Sequence, residues 1–133
     1  MIKWPITYTT YDGDEVTEDF YFHLNKAELT KMQFDVNGAY SNYIERIQNE
    51  RNLKELGEQY ANLILNSYGK KSDDGRIFRK SDELRDEFKC SEAYSVLFME
   101  LLSDADKAAK FARGILPADL QGASIEAKAA LAN

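Results

Sequence analysis

The chain has 133 residues, 44% hydrophobic and 30% charged, with a formal net charge of -6, which fits one domain that buries roughly two-thirds of its unfolded surface on folding. A pI near 4.8 makes the average surface repel phosphate backbones and anionic lipid, counting against nucleic acid and membranes as partners. No apolar run approaches the ~20 residues of a membrane helix, and the opening MIKWPITYTT lacks the charged-then-apolar pattern of a secretion signal.

Residues 6–24, ITYTTYDGDEVTEDFYFHL, alternate as two strands around a turn, with Asp12-Gly13 supplying the positive φ of a tight hairpin. Phe20, Phe22 and Leu24 share one face of the second strand, with Glu18 on it near the turn, while Asp19, Tyr21 and His23 point the other way. Asn25 and Glu28 have the spacing of a capping box, which predicts a helix through about Phe34. Asn37-Gly38 breaks it, and the spacing of Tyr40, Tyr43, Ile44 and Ile47 predicts a second, short helix.

A third helix is expected over 53–68 from Leu53, Leu56, Tyr60, Leu63 and Ile64, with Gly69 as its stop. GKKSDDGRIFRKS reads as a surface turn or small hairpin whose Ile77-Phe78 pair tucks inward. From Asp82, the series Leu84, Phe88, Tyr94, Leu97, Phe98, Leu101 and Leu102 covers a long helical face, broken near Cys90-Ser91, where the core should be densest. Ser103 then looks like the cap of a last helix ending at Gly114, with Pro117 beyond. The whole reads as an α+β fold: an N-terminal antiparallel β-hairpin packed on a mostly helical domain of about five helices (1–117). The alanine-rich stretch 118–133 is expected as a flexible tail.

Catalytic and metal-binding patterns are weak. Any nucleophile-His-acid arrangement must use His23, the single histidine, which the pattern places mid-strand, away from loops. One histidine and one cysteine do not supply zinc spacing. Cys90 reads as helical among apolar neighbours, as in a reducing cytoplasm, and being alone forms no intrachain disulfide. DGDEVTED places its glycine second, not sixth, for a calcium loop. GKKS at 69–72 resembles the end of a phosphate-binding loop, but Ile64 stands where the first glycine is needed. Lys70, Lys71, Arg76, Arg79 and Lys80 form one basic cluster, partly offset by Asp73 and Asp74, and a solvated face is its commoner meaning. No cofactor and no enzymatic activity are expected.

Apolar surface is more suggestive. One tryptophan, eight tyrosines and seven phenylalanines exceed what one hairpin face obviously hides. Trp4, Tyr8 and Tyr11 on the first strand and Tyr40 and Tyr43 on the short helix are the candidate protein-binding residues, although a wholly structural role for the aromatics is about as common.

The order of segments adds a resemblance. ITYTTYDGDEVTEDFYFHLNKAEL, followed by SYGKKSDDGRIFRKSDELRDEFKCSEAYSVLFMELLSDADKAAKFARGILP, resembles the tail assembly chaperones of long-tailed, siphovirus-type bacteriophages of Gram-positive hosts, over about residues 6–117. The resemblance implies a non-enzymatic helper in the bacterial host cytoplasm, absent from the mature virion. Such a helper binds the tape measure protein, keeps it soluble, and aids assembly of tail tube protein around it. In many such phages a frameshift near the end of the reading frame yields a longer fusion, which a short tail at 118–133 would suit. The resemblance carries over no single contact residue and leaves self-association open. Two other readings are a structural phage component, such as a head-tail connector or tail completion subunit, and an inhibitor that binds a host protein.

Overall fold

The computed structural model describes residues 1–31, 45–46, 49 and 52–118. Strands β1 (Ile2–Thr9) and β2 (Glu15–Phe22) pair antiparallel along their full length, from Ile2↔Phe22 to Thr9↔Glu15. The pleat puts Ile2, Trp4, Ile6 and Tyr8 on one face with Val16, Glu18, Phe20 and Phe22. The connecting residues 10–14 are closed by the Thr10 N–H on the Asp14 carbonyl (2.8 Å) and the Gly13 N–H on the Thr10 carbonyl (2.9 Å). Gly13 takes φ 94° there, as its place in the turn predicted.

β1 starts four residues earlier than the alternation suggested, because Pro5 lies inside the strand. The sheet order β1-β2-β3-β4 makes β1 an edge. Since Thr10 bonds across to Asp14, the even-numbered residues of β1 aim their backbone groups at β2 and the odd ones at the open edge. Pro5 therefore deprives the ladder of no donor.

The capping box forms: the Glu28 amide donates to Asn25 Oδ1 (2.8 Å) and the Asn25 amide to Glu28 Oε1 (3.0 Å), starting α1 (Lys26–Lys31). The expected continuation to Phe34 and most of the short helix with Tyr40, Tyr43 and Ile47 lie outside the described residues. Helix α2 (Leu53–Ser67) is capped by Asn52, whose side chain accepts from Lys54 and Glu55. It does not stop at a glycine. Tyr68 turns extended (ψ 141°) and leads directly into β3 (Tyr68–Lys71), so Gly69 is a strand residue. β3 pairs with β2 at Phe22↔Tyr68 and Tyr21↔Gly69, and β4 (Phe78–Arg79) closes a small hairpin on β3.

Helix α3 (Asp82–Lys89) is capped by Ser81 Oγ, and the expected break at Cys90-Ser91 separates it from α4 (Glu92–Ser103). Helix α5 (Ala105–Gly114) is capped by Asp104, whose carboxylate accepts from the amides of Asp106 and Lys107. Ser103, the cap expected from sequence, instead completes α4 and turns its hydroxyl back to the Met99 carbonyl (2.8 Å), the usual fate of a serine inside a helix.

The helices bury their apolar stripes on the inner face of the sheet. α4 contributes Ala93, Leu97 and Leu101, α2 Tyr60, Leu63 and Ile64, and α5 Ala108, Phe111 and Ala112. Each buried leucine or isoleucine contributes about 1.5–3 kcal/mol. After α5 the chain returns to the sheet: the Leu24 N–H donates to the Ile115 carbonyl (2.6 Å) and the N-terminal ammonium to that of Leu116 (3.3 Å). Gly114 sits so close to Ile2 that an added Cβ would overlap Ile2 Cδ1.

Candidate protein-binding surface

Of the five aromatic residues singled out from sequence, Trp4 lies in the core, 7% exposed, edge-on to Phe111 at 5.6 Å with Lys110 over its ring. The contact expected of it is not offered at the surface, because a strand residue on the inner face of an edge strand is still covered by helices. Tyr8 is half-buried, and its hydroxyl donates to the Glu18 carboxylate. That bond, then desolvation, raises the phenol above its ordinary pKa. Tyr11 stands in the hairpin loop, not the strand, and is 76% exposed. Its hydroxyl donates to the Cys90 carbonyl (2.9 Å). Tyr40 and Tyr43 lie outside the described residues.

Sequence reasoning missed a seam of rings that starts at Tyr8. Tyr8 meets Phe20 (6.4 Å), Phe20 meets Phe88 (5.2 Å), Phe88 meets Tyr94 (5.9 Å) and Tyr94 meets Phe98 (6.0 Å). Phe88 is buried and stacks on Tyr68 at 4.4 Å, whereas Tyr8, Phe20, Tyr94 and Phe98 are half-buried. The buried stripe of α4 is Ala93-Leu97-Leu101, one residue away from Tyr94-Phe98-Leu102. A 3.6-residue period rolls these neighbouring rows onto the rim of the contact, and small Ala93 marks the inward row. Met99, the next residue after Phe98, is 56% exposed. The Ile77-Phe78 pair divides: Phe78 is half-buried and Ile77 is 54% exposed.

Ionisable groups are arranged structurally. Lys80 Nζ donates to Glu28 Oε2 (2.5 Å), the His23 carbonyl (2.5 Å) and the Asn66 carbonyl (2.9 Å), tying α1, the end of β2 and the end of α2 together. Burial lowers its pKa, with the Glu28 contact acting in the opposite sense. His23 lies just beyond β2, its Nδ1 buried without a hydrogen bond. Burial lowers its pKa too, helped by the N-terminal and Lys80 charges. Cys90 is exposed at the end of α3, not packed among apolar neighbours as expected. Among the described residues no group of three or more His, Cys, Asp or Glu side chains converges as a metal site. No described helix is long and apolar enough to cross a membrane.

A half-open row of aromatic rings anchored on buried Phe88 has the chemistry of a surface for apolar protein segments. Neither a curated protein nor a solved structure matches the chain. A family model described as phage tail assembly chaperone matches residues 1–132. With nearly its whole length matched in this way, the chain belongs to the phage tail assembly chaperone family.

Proposed function

We propose that this chain is a non-enzymatic chaperone of a siphovirus-type phage, binding the tape measure protein in the host cytoplasm. It keeps that protein soluble while tail tube protein assembles around it, and is left out of the finished virion. The observation that carries the reading is the aromatic seam: an amphipathic helix laid across Tyr8, Phe20, Tyr94 and Phe98 would remove apolar area on both partners from water, at about 25 cal/mol per Å². Tyr40 and Tyr43 remain proposed contributors. Tyr11, at the hairpin tip, is assigned separately below.

Co-expression with the tape measure protein of the same phage tests this. The expected result is a soluble, co-purifying complex, weakened by Tyr8→Ser with Met99→Ser in a chain whose circular dichroism is unchanged. An insoluble tape measure protein despite co-expression, with this chain stoichiometric in virions by mass spectrometry, would replace the chaperone by a structural tail component.

A further inference from the structure

The basic cluster is the feature of this acidic protein that the seam leaves unexplained. Within residues 70–80 stand five cations, Lys70, Lys71, Arg76, Arg79 and Lys80, against Asp73 and Asp74. Lys80 is held inside by Glu28 and two carbonyls, and Lys71 lies over the Tyr21 ring. The Lys70, Arg76 and Arg79 side chains make no ion pair among the described residues. Asp74, whose carboxylate accepts from the Ser72 hydroxyl (2.7 Å) and the Arg76 amide (3.0 Å) within the loop, offsets part of this charge together with Asp73 and leaves the hairpin net basic.

Together with Ser72, Asp73, Ile77 and Leu84, the cations Lys70, Lys71 and Arg79 line a concavity of about 390 Å³. The β3–β4 hairpin that carries them is braced. The Ser72 amide donates to the Ile77 carbonyl (2.8 Å), and the Ile77 amide to Ser72 Oγ (3.0 Å). A notch with Ile77 and Leu84 in its wall, lined by three cations against the one carboxylate of Asp73, suits a segment bearing one large apolar side chain among carboxylates.

That segment exists in the chain itself. At the β1–β2 tip, Tyr11 is 76% exposed and flanked by exposed Asp12, Asp14 and Glu15, whose carboxylates make no ion pair among the described residues. β3 pairs antiparallel with β2 from Phe22↔Tyr68 onward, so the chain beyond Gly69 runs back along β2 toward its Glu15 end. The acidic tip and the basic hairpin therefore project from the same end of the sheet. Adjacent patches of opposite charge are self-complementary under a two-fold axis, since each tip can meet the other copy's notch.

We propose that two copies of this chain dock reciprocally, each seating Tyr11 against Ile77 and Leu84 of the other, with Asp12, Asp14 and Glu15 facing Lys70, Arg76 and Arg79. The pairing is electrostatic and exposed at its rim, so it is reversible and salt-sensitive.

Sedimentation velocity on the full chain tests it. Wild type is expected to dimerise at low salt, with an association constant that falls at least about tenfold between roughly 0.05 and 0.5 M salt. Lys70→Glu/Arg76→Glu/Arg79→Glu and Asp12→Lys/Asp14→Lys/Glu15→Lys should each be monomeric alone, since each then has two like-charged patches. Mixed one to one, they should form a heterodimer, because each tip again meets a notch of opposite sign. Circular dichroism confirms that both fold. A wild type that stays monomeric at low salt overturns the proposal, as does a dimer that survives both charge reversals, or a mixture that stays monomeric. A monomeric wild type whose basic triple variant loses the tape measure protein would assign the notch to that partner and equally overturn the dimer.

Discussion

Lys80→Met removes one ammonium while keeping most of the stem, and so tests whether the Lys80 junction holds α1, β2 and α2 together. The Lys80 side chain is 11% exposed and that of Glu28 29%. The substitution therefore leaves two carbonyls and one carboxylate oxygen with little water to replace the lost donor. Hydrogen bonds to a charged group contribute about 1.5–3 kcal/mol each. Glu28 can rehydrate in part and keeps its bond from the Asn25 amide. Regained solvation and the removed desolvation of the charge offset a further share. The expected net loss is about 2–4 kcal/mol, which for a domain of this size lowers Tm by about 8–15 °C. Urea unfolding followed by circular dichroism measures it, with Lys71→Met, exposed beside Tyr21, expected to change stability by less than about 0.5 kcal/mol. A Lys80→Met chain as stable as wild type, or more so, would show that desolvation outweighs the three bonds and would refute the junction as a source of stability.

Gly114→Ala should destabilise by about 1–2 kcal/mol despite alanine's better helix propensity, because its Cβ would overlap Ile2 Cδ1 and meet Ile2 Cβ at 2.9 Å; the loss should shrink in an Ile2→Ala background, as read from urea midpoints. Asp104→Ala should cost about 1 kcal/mol and Ser103→Ala much less, since only Asp104 caps α5; equal losses would return the cap to Ser103. His23 has a lowered folded pKa, so the unfolded chain takes up its proton first as pH falls. Stability from this group is full above the ordinary histidine range and declines as pH drops through it toward the folded value. His23→Gln should flatten the loss measured between about pH 7.5 and 5, above the main carboxylate range; an unchanged slope would remove His23 as its source.

Local signals in the sequence were read well where one residue type has one physical use. Asp12-Gly13 marked the turn, Asn25 and Glu28 the cap of α1, and Cys90-Ser91 the break between α3 and α4. Errors arose where tertiary pairing decides. Gly69 looked like a helix stop, but pairing with Tyr21 draws the chain into a sheet instead. Pro5 concealed the start of β1, because nothing local says that the strand lies at an edge. For the candidate surface, Trp4 looked like a contact residue because its strand position is compatible with either fate, and only Phe111 and the helices over it settle that it is core. The seam was hidden for the opposite reason: Tyr94 and Phe98 share their helical face with Leu97 and Leu101, and a one-residue rotation separates buried from half-buried. The Ser103–Asp104 ambiguity is of the same kind, two adjacent residues both able to cap.

Pro5 has a further consequence at the open edge of the sheet. A fifth strand laid along β1 would look for amide donors at every second residue, and at the middle of the row it would find none. Its own central carbonyl would be left without a bond, which is costly where water is excluded. The edge of β1 thereby resists recruitment as the next strand of another chain's sheet.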